Sequence, residues 1–290
     1  WIKAPTPSQK DQLNSLQSAI DHAQARLDRS DREIQAAQEQ WEASFTATDS
    51  NEPVGIHGLS HRYAKDQPLE LDGGGVALEK ISHLICNGRF SITFWMDPKR
   101  VHEGAVLSNE QKSSGRNGIL VAFHQGHLRF HIISRWVAGV ATLETISTIP
   151  QDEWMHVALT NDGSQRAKGM AIYLNGQRTD CRILHNSNSN KSGEQFGDIM
   201  RVGASPHVSN WRGRVSDLRF YHRHTLYPDE AALIATRDSI EDIVRMPPEE
   251  RTQRQAEKIR RYYLRHEAPD RLAGLLTTWE QARADYRAFY

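Results

Sequence analysis

Two kinds of periodicity divide the chain. Between Ser8 and Phe45 there is neither Gly nor Pro, and Leu13, Ile20, Leu27, Ile34 and Trp41 recur every seven residues. Leu16, Ala23, Ser30 and Ala37 follow the first four of these by three positions. This spacing predicts one continuous helix with a coiled-coil seam, on the order of 55 Å long at ~1.5 Å per residue. From Val54 to Tyr221 the period changes to two. Phe90, Ile92, Phe94 and Met96 alternate with Ser91, Thr93 and Trp95, and Leu128, Phe130 and Ile132 alternate with Arg129, His131 and Ile133. Met155, Val157 and Leu159, then Met170, Ile172 and Leu174, repeat the pattern. Gly, Asn, Asp and Ser separate these runs, which predicts many short strands in two packed antiparallel sheets. Asn175-Gly176 predicts a two-residue hairpin, because both turn positions need positive φ. The helical pattern then returns. Pro228-Asp229-Glu230 opens one helix, Met246-Pro247-Pro248 stops the next, Thr252 to His266 is a third, and Asp270 to Tyr290 is the last. Leu272, Trp279 and Tyr286, with Leu275, Ala282 and Phe289, make a second heptad seam.

These patterns divide the chain into a heptad helix at 1–50, a β-sandwich at 51–227 and a helical segment at 228–290. The first helix is net acidic and the chain from Arg251 onward is net basic, so the two are expected to pair, antiparallel, as a stalk carrying the sandwich as an insert. Only 38% of the 290 residues are apolar and mean hydropathy is −0.65, which fits a compact core joined to solvated helices. The formal net charge is zero, so nothing in the balance points to nucleic acid or an anionic membrane. No apolar run approaches the roughly 20 residues that span a bilayer. The chain begins at Trp1 rather than Met, and a fragment or processed product of something larger is expected. Cys86 and Cys181 have no metal-type spacing; they read as two isolated thiols or, in an exported chain, as a single disulfide.

Three strings are the most distinctive. They are Trp-Met-His-Val-Ala-Leu-Thr at 154–160, Tyr-Leu-Asn-Gly at 173–176, and Gly-Arg-Val-Ser-Asp-Leu-Arg-Phe-Tyr at 213–221. With Leu71-Asp72-Gly73, the chain over about 54–236 resembles a laminin-G-like jelly roll of the concanavalin A superfamily. The resemblance implies a mainly β fold, a concanavalin A-like antiparallel β-sandwich flanked by long N- and C-terminal helices forming a coiled-coil-like stalk. The flanks, Trp41 to Ser44, Pro-Pro-Glu-Glu-Arg-Thr at 247–252 and Arg261 to His266, are similar to a segment of large exported planctomycete proteins that also carry a cytochrome-c-like haem domain. That likeness implies export, and other domains of a parent chain as partners. With no Cys-x-x-Cys-His here, a haem domain would lie outside this sequence.

The candidate chemistry is that of binding. Retaining glycoside hydrolases need two carboxylates about 5–5.5 Å apart, and the superfamily's catalytic string, Glu-x-Asp-x-x-Glu, is absent. Glu144 is a lone strand acid. There is no nucleophile elbow or zinc-protease motif, and Gly73-Gly74-Gly75 reads as a turn rather than a phosphate loop. No catalytic residue is assigned. His127/His131 and His222/His224 could each share a strand face, but hydrogen-bonded or solvated histidines outweigh a metal pair. Sugar binding needs an aromatic face beside planar polar groups. Trp136 is the stacking candidate, with Arg135, Arg129 or His131 donating hydrogen bonds. Asn210 and Trp211 form a second candidate pair, although Trp211 stands at a position more often given to core packing. Trp95 and Trp154 are assigned to sandwich packing. By resemblance, a structural Ca²⁺ would use Asp217 and Asp72, which could equally be ordinary turn and strand acids. The expected function is a non-catalytic module that binds a polysaccharide or glycan. The alternatives are a protein-interaction or spacer domain and, more distantly, a glycoside hydrolase with atypical acids.

Overall fold

The structure is a computed structural model that describes residues 6–46, 56, 58–63, 67–79, 88–112, 117–135, 139–164, 166–187, 197 and 199–289. The chain forms two compact units, one from Ile56 to Ala235 and one combining the residues before it with those from Thr236 onward.

The first unit is a sandwich of two seven-stranded antiparallel sheets. Its strands are β1 (Leu59–Tyr63), β2 (Leu69–Asp72), β3 (Val76–Glu79), β4 (Arg89–Pro98), β5 (Glu103–Ser108), β6 (Gly118–His124) and β7 (His127–Arg135). They continue with β8 (Gly139–Thr145), β9 (Met155–Asp162), β10 (Met170–Leu174), β11 (Gln177–Arg178), β12 (Cys181–Ser187), β13 (Ile199–Val202) and β14 (Arg212–His222). Sheet A runs β1-β14-β4-β9-β10-β11, with β2 also paired to β14; sheet B runs β12-β8-β7-β6-β5-β13-β3. The alternating apolar residues of β4, β7, β9 and β10 all turn inward. Phe90, Ile92, Phe94, Met96, Leu128, Phe130, Val157, Leu159 and Ile172 lie in one buried core between the sheets. Each such side chain removed from water contributes about 1.5–3 kcal/mol. Asn175 and Gly176 have φ of 48° and 76°, and Leu174 pairs with Gln177 across them. A Cβ at Gly176 would lie 2.6 Å from the Ala232 Cα, so glycine is required for packing as well as for the turn.

The sandwich unit extends past residue 227, the boundary expected from sequence. Helix α3 (Pro228–Ile234) packs Ala231 and Ile234 against Ala158, Ala171, Tyr173 and Tyr221 on the outward side of sheet A. Its buried Ala231 and Ile234 are covered there, so it belongs to the sandwich. Trp95 and Trp154, assigned to sandwich packing, pack outside the inter-sheet core. Trp95 lies edge-on to His156 at 5.3 Å, and the Arg214 guanidinium lies 5.1 Å above the Trp154 ring.

In the second unit the expected continuous helix is divided at Ser30 into α1 (Pro7–Arg29) and α2 (Asp31–Ser44). Ser30 has φ −91° and ψ 4°, and its N–H is shared between the carbonyls of Arg26 and Leu27. Thr6 and Gln9 form a capping box at the start of α1. The unit is completed by α4 (Ile240–Arg245), α5 (Gln253–His266) and α6 (Asp270–Phe289), with α1 packed along α6. Leu27, Ile34, Tyr263, Leu264, Leu272, Leu275 and Leu276 share a core. Acids of α2 meet bases of the C-terminal segment: Glu42 with Arg251, just before α5, at 2.7 Å, Asp31 with Arg260 at 2.7 Å, and Glu33 with Arg271. No helix among the described residues is long and apolar enough to cross a membrane.

Candidate functional site

Strand alternation gives each sheet a second, outward face. On sheet B the core takes Leu128, Phe130, Ile132, Ala141 and Leu143, so Arg129, His131, Thr142 and Glu144 point the other way. Register then aligns two rows across three adjacent strands. Arg129 of β7 stands opposite Glu144 of β8, which stands opposite Arg182 of β12; His131, Thr142 and His185 are matched in the same order. The rows are about 7 Å apart along the strands.

A bulge between Ile183 and His185 makes the second row complete. In a regular strand Leu184 would fall opposite Thr142, whereas the extra residue returns His185 to the side of Arg182.

The first row is an ion-paired triad. Glu144 accepts from Arg129 Nε at 2.5 Å on one oxygen and from Arg182 Nε at 2.8 Å on the other. The carboxylate side chain is 5% exposed, Arg129 25% and Arg182 53%, so the row deepens from an open rim at β12 to a floor at β8. In the second row Thr142 Oγ1 lies 3.0 Å from His131 Nδ1 and 3.3 Å from His185 Nδ1. A hydroxyl carries one proton, so no more than one imidazole can accept from it; the other Nδ1 holds its proton and donates. Past the second row on β7 and β8, and across β6 and β5, the face is apolar, with Ala105, Leu120, Ala122, Ile133 and Val140 clustered and Val208 packed on them.

Of the sugar candidates, Arg129 and His131 are brought together here. Arg135 ends β7 beyond them, its side chain outside the description, and Trp136 falls at 136–138, outside the described residues. The second candidate pair is corrected. Trp211 is fully buried; it stacks on Phe123 at 6.1 Å and donates from Nε1 to the Arg100 carbonyl at 2.7 Å. A ring so enclosed cannot stack on a sugar. A Cβ at Gly213 would collide with it, so the neighbouring glycine makes room for the indole. Asn210 donates its amide to the Gly73 carbonyl at 2.7 Å and bridges to Ala105, about 14 Å across the sheet from Arg129.

The calcium candidates do not form one site. Asp72 pairs with Arg212, whereas Asp217 lies five residues further along β14, about 16 Å away. Asp72 caps the Gly74 N–H at 3.3 Å. Asp217 sits in a β14 bulge with φ 48°, which swings its carboxylate onto Arg219 and, at 2.6 Å, onto Arg62. Burial pushes the Asp217 carboxyl up, but hydrogen bonds and charge from Arg219, then Arg62, outweigh it and hold it below the usual carboxylate range. With two guanidinium groups on its oxygens, Asp217 does not fit a cation ligand. Among the described residues no group of three His, Cys, Asp or Glu side chains could hold a metal ion. His224 is instead paired with Glu230 at 2.9 Å, and His127 Nδ1 lies 2.9 Å from the Thr145 carbonyl.

A second concavity, of about 600 Å³, opens where β10 and β11 of sheet A approach β12 of sheet B, lined by Leu143, Lys168, Met170, Arg178 and Cys181 among others. Cys181 is a free thiol whose pKa burial pushes up to about 11, so it is held protonated. Cys86, its candidate partner, lies outside the described residues.

The sequence matches the model of the concanavalin A-like lectin/glucanases superfamily over residues 72–232, more than half the chain. No match was found among curated proteins. Among solved structures, the fold is similar to the Ruminococcus gnavus IT-sialidase CBM40 bound to α2,3-sialyllactose, with TM-score 0.48 and 14% identity over 62% of this chain and 100% of that one. It is also similar to a heptameric SAP-like pentraxin from Limulus polyphemus, with TM-score 0.39 and 16% identity over 60% and 74%. A third is botulinum neurotoxin type C, described as depending on two ganglioside molecules for cell entry, with TM-score 0.43 and 13% identity over 61% and 44%. The present chain therefore spans less than half of that neurotoxin chain. At these identities the likeness is one of fold.

Proposed function

Because the chain belongs to the concanavalin A-like lectin/glucanase superfamily, we propose that it is a non-catalytic module of a larger exported protein that binds carbohydrate on the outward face of sheet B. The observation that carries this reading is the pair of aligned rows, Arg129–Glu144–Arg182 and His131–Thr142–His185. Guanidinium, carboxylate, imidazole and hydroxyl groups side by side offer planar donors and acceptors for adjacent sugar hydroxyls. The open rim at β12 and the buried floor at β8 supply access and preorganisation together. Trp136, in the β7–β8 connection, is the aromatic partner in this reading. The non-catalytic part is supported by Glu144, whose two oxygens are each held by a guanidinium and whose side chain is buried rather than facing an open cleft.

Affinity electrophoresis of the whole chain through a panel of polysaccharides tests the proposal. Retardation by at least one of them, lost in Glu144→Gln and weakened in Trp136→Ala, is the expected result. Mobility unchanged in every gel removes the sugar reading. It would favour a protein-interaction module, for which exposed Ile183 and Leu184 on the outermost strand of sheet B are the supporting observation.

A further inference from the structure

We infer that the ligand of this face is an acidic glycan, its carboxylate gripped between the outward ends of Arg129 and Arg182; the inference rests on the carbohydrate reading above. Both arginines approach Glu144 through Nε. A guanidinium has two edges that can take a carboxylate, one made by Nε with a terminal nitrogen and one made by the two terminal nitrogens. Glu144 engages the first edge of each. The terminal nitrogens of Arg129 and Arg182 have no hydrogen-bond partner among the described residues. The two side chains rise from strands about 10 Å apart, flanking a carboxylate on the strand between them.

Charge agrees with geometry. One carboxylate between two guanidiniums leaves the row with one uncompensated positive charge, beside a floor where water is largely excluded. A neutral sugar would leave that charge unanswered, whereas a sugar carboxylate answers it with bidentate hydrogen bonds. Glu144 thus acts as a positioning residue: it holds both guanidinium planes on one side of the sheet and leaves their outer edges presented. The chain as a whole has zero formal net charge, so retention on a polyanion requires a local site of this kind rather than bulk attraction.

The test compares polygalacturonate, dextran sulfate and neutral dextran as probes in affinity gels and titration calorimetry. The proteins are the full chain, Arg182→Gln, Arg182→Lys and, as a control of equal charge loss on the other sheet, Arg212→Gln. Polygalacturonate should bind best. Both Arg182 variants should lose about tenfold or more in affinity, lysine included because it keeps the charge but not the planar edge, while Arg212→Gln stays near the parent. Equal losses in Arg182→Gln and Arg212→Gln, or full binding by Arg182→Lys, would overturn the clamp in favour of diffuse attraction. Stronger binding to dextran sulfate would overturn the carboxylate assignment. Binding to neutral dextran without preference for polygalacturonate would remove the acidic ligand but leave the carbohydrate reading intact. Failure to bind any probe here, together with failure across the wider panel, removes both.

Discussion

On sheet A the outward positions of β9, β10 and β14 include Ala158, Ala171, Tyr173 and Tyr221, and α3 lies over them with Leu226 and Ile56. On sheet B the outward positions of β7, β8 and β12 include Arg129, His131, Thr142, Glu144, Arg182 and His185, and the row opens to solvent at Arg182. Both faces arise from the same two-residue period, and their inward sides share one core. What separates them is that the outward residues of sheet A under α3 are apolar across β9, β10 and β14, whereas those of sheet B turn from an apolar cluster to polar rows across β7, β8 and β12. The face under α3 becomes a second core; on sheet B an apolar cluster is covered near Val208, and beside it polar groups are fixed by neighbouring strands. Fixed, partly buried polar groups are what recognition of a hydroxylated ligand requires.

The comparison can be broken at its root. Trp211→Ala empties the shared core and should cost about 3–5 kcal/mol in chemical denaturation, lowering both faces together. Ile234→Ala strips part of the cover from sheet A alone. A loss of about 2–3 kcal/mol is expected, with glycan retention in gels unchanged. Loss of retention in that variant would show that the faces are coupled.

His156 sharpens the contrast through pH. It lies buried on the outward side of sheet A, its pKa driven down to about 3 by burial first and by the Arg219 charge second, against a small opposing pull from Asp217. A folded pKa below the unfolded value of 6.5 means that the unfolded chain takes up the proton first. The contribution is whole above about pH 6.5 and is lost progressively as pH falls toward about 3. Denaturation at stepped pH should show this slope, and His156→Gln should flatten it over that window. Glu144→Gln should cost about 1–3 kcal/mol, because two partly buried guanidiniums lose their shared acceptor. Arg182→Gln, half exposed, should change stability by less than about 1 kcal/mol while affinity falls about tenfold or more. Equal stability losses in Glu144→Gln and Arg182→Gln would contradict the burial gradient from floor to rim.

The strands and the inward side of the sandwich were legible in the sequence because alternation is local. Phe90 to Met96 and Met155 to Leu159 announce both strand and side within a few residues. The candidate site was legible in part. Arg129 and His131 could be placed on one face of a strand, but Glu144 looked like a lone acid, and Arg182 and His185 carried no signal. Their meeting depends on which strand neighbours which and on one inserted residue, Leu184, and both are set by long-range pairing. Asp217 shows the same limit: a β14 bulge turned an ordinary strand acid onto two arginines. Trp211 was ambiguous for another reason, since an indole between Asn and Arg has the composition of a binding loop whether or not the core closes over it. The division of the first helix at Ser30 falls on a seam position held by a small polar residue, where the heptad count alone gives no warning.

The Leu184 bulge has one more consequence. β12 is the last strand of sheet B, and it exposes Ile183 and Leu184. A straight outer strand with apolar residues is a template on which another molecule can extend the sheet, a route to clumping at high concentration. The inserted residue makes the row of backbone donors and acceptors irregular, so an incoming strand finds no continuous ladder to match. Deleting Leu184 would leave His185 opposite Thr142 but smooth the rim into an adhesive border, and light scattering at rising concentration would report the change.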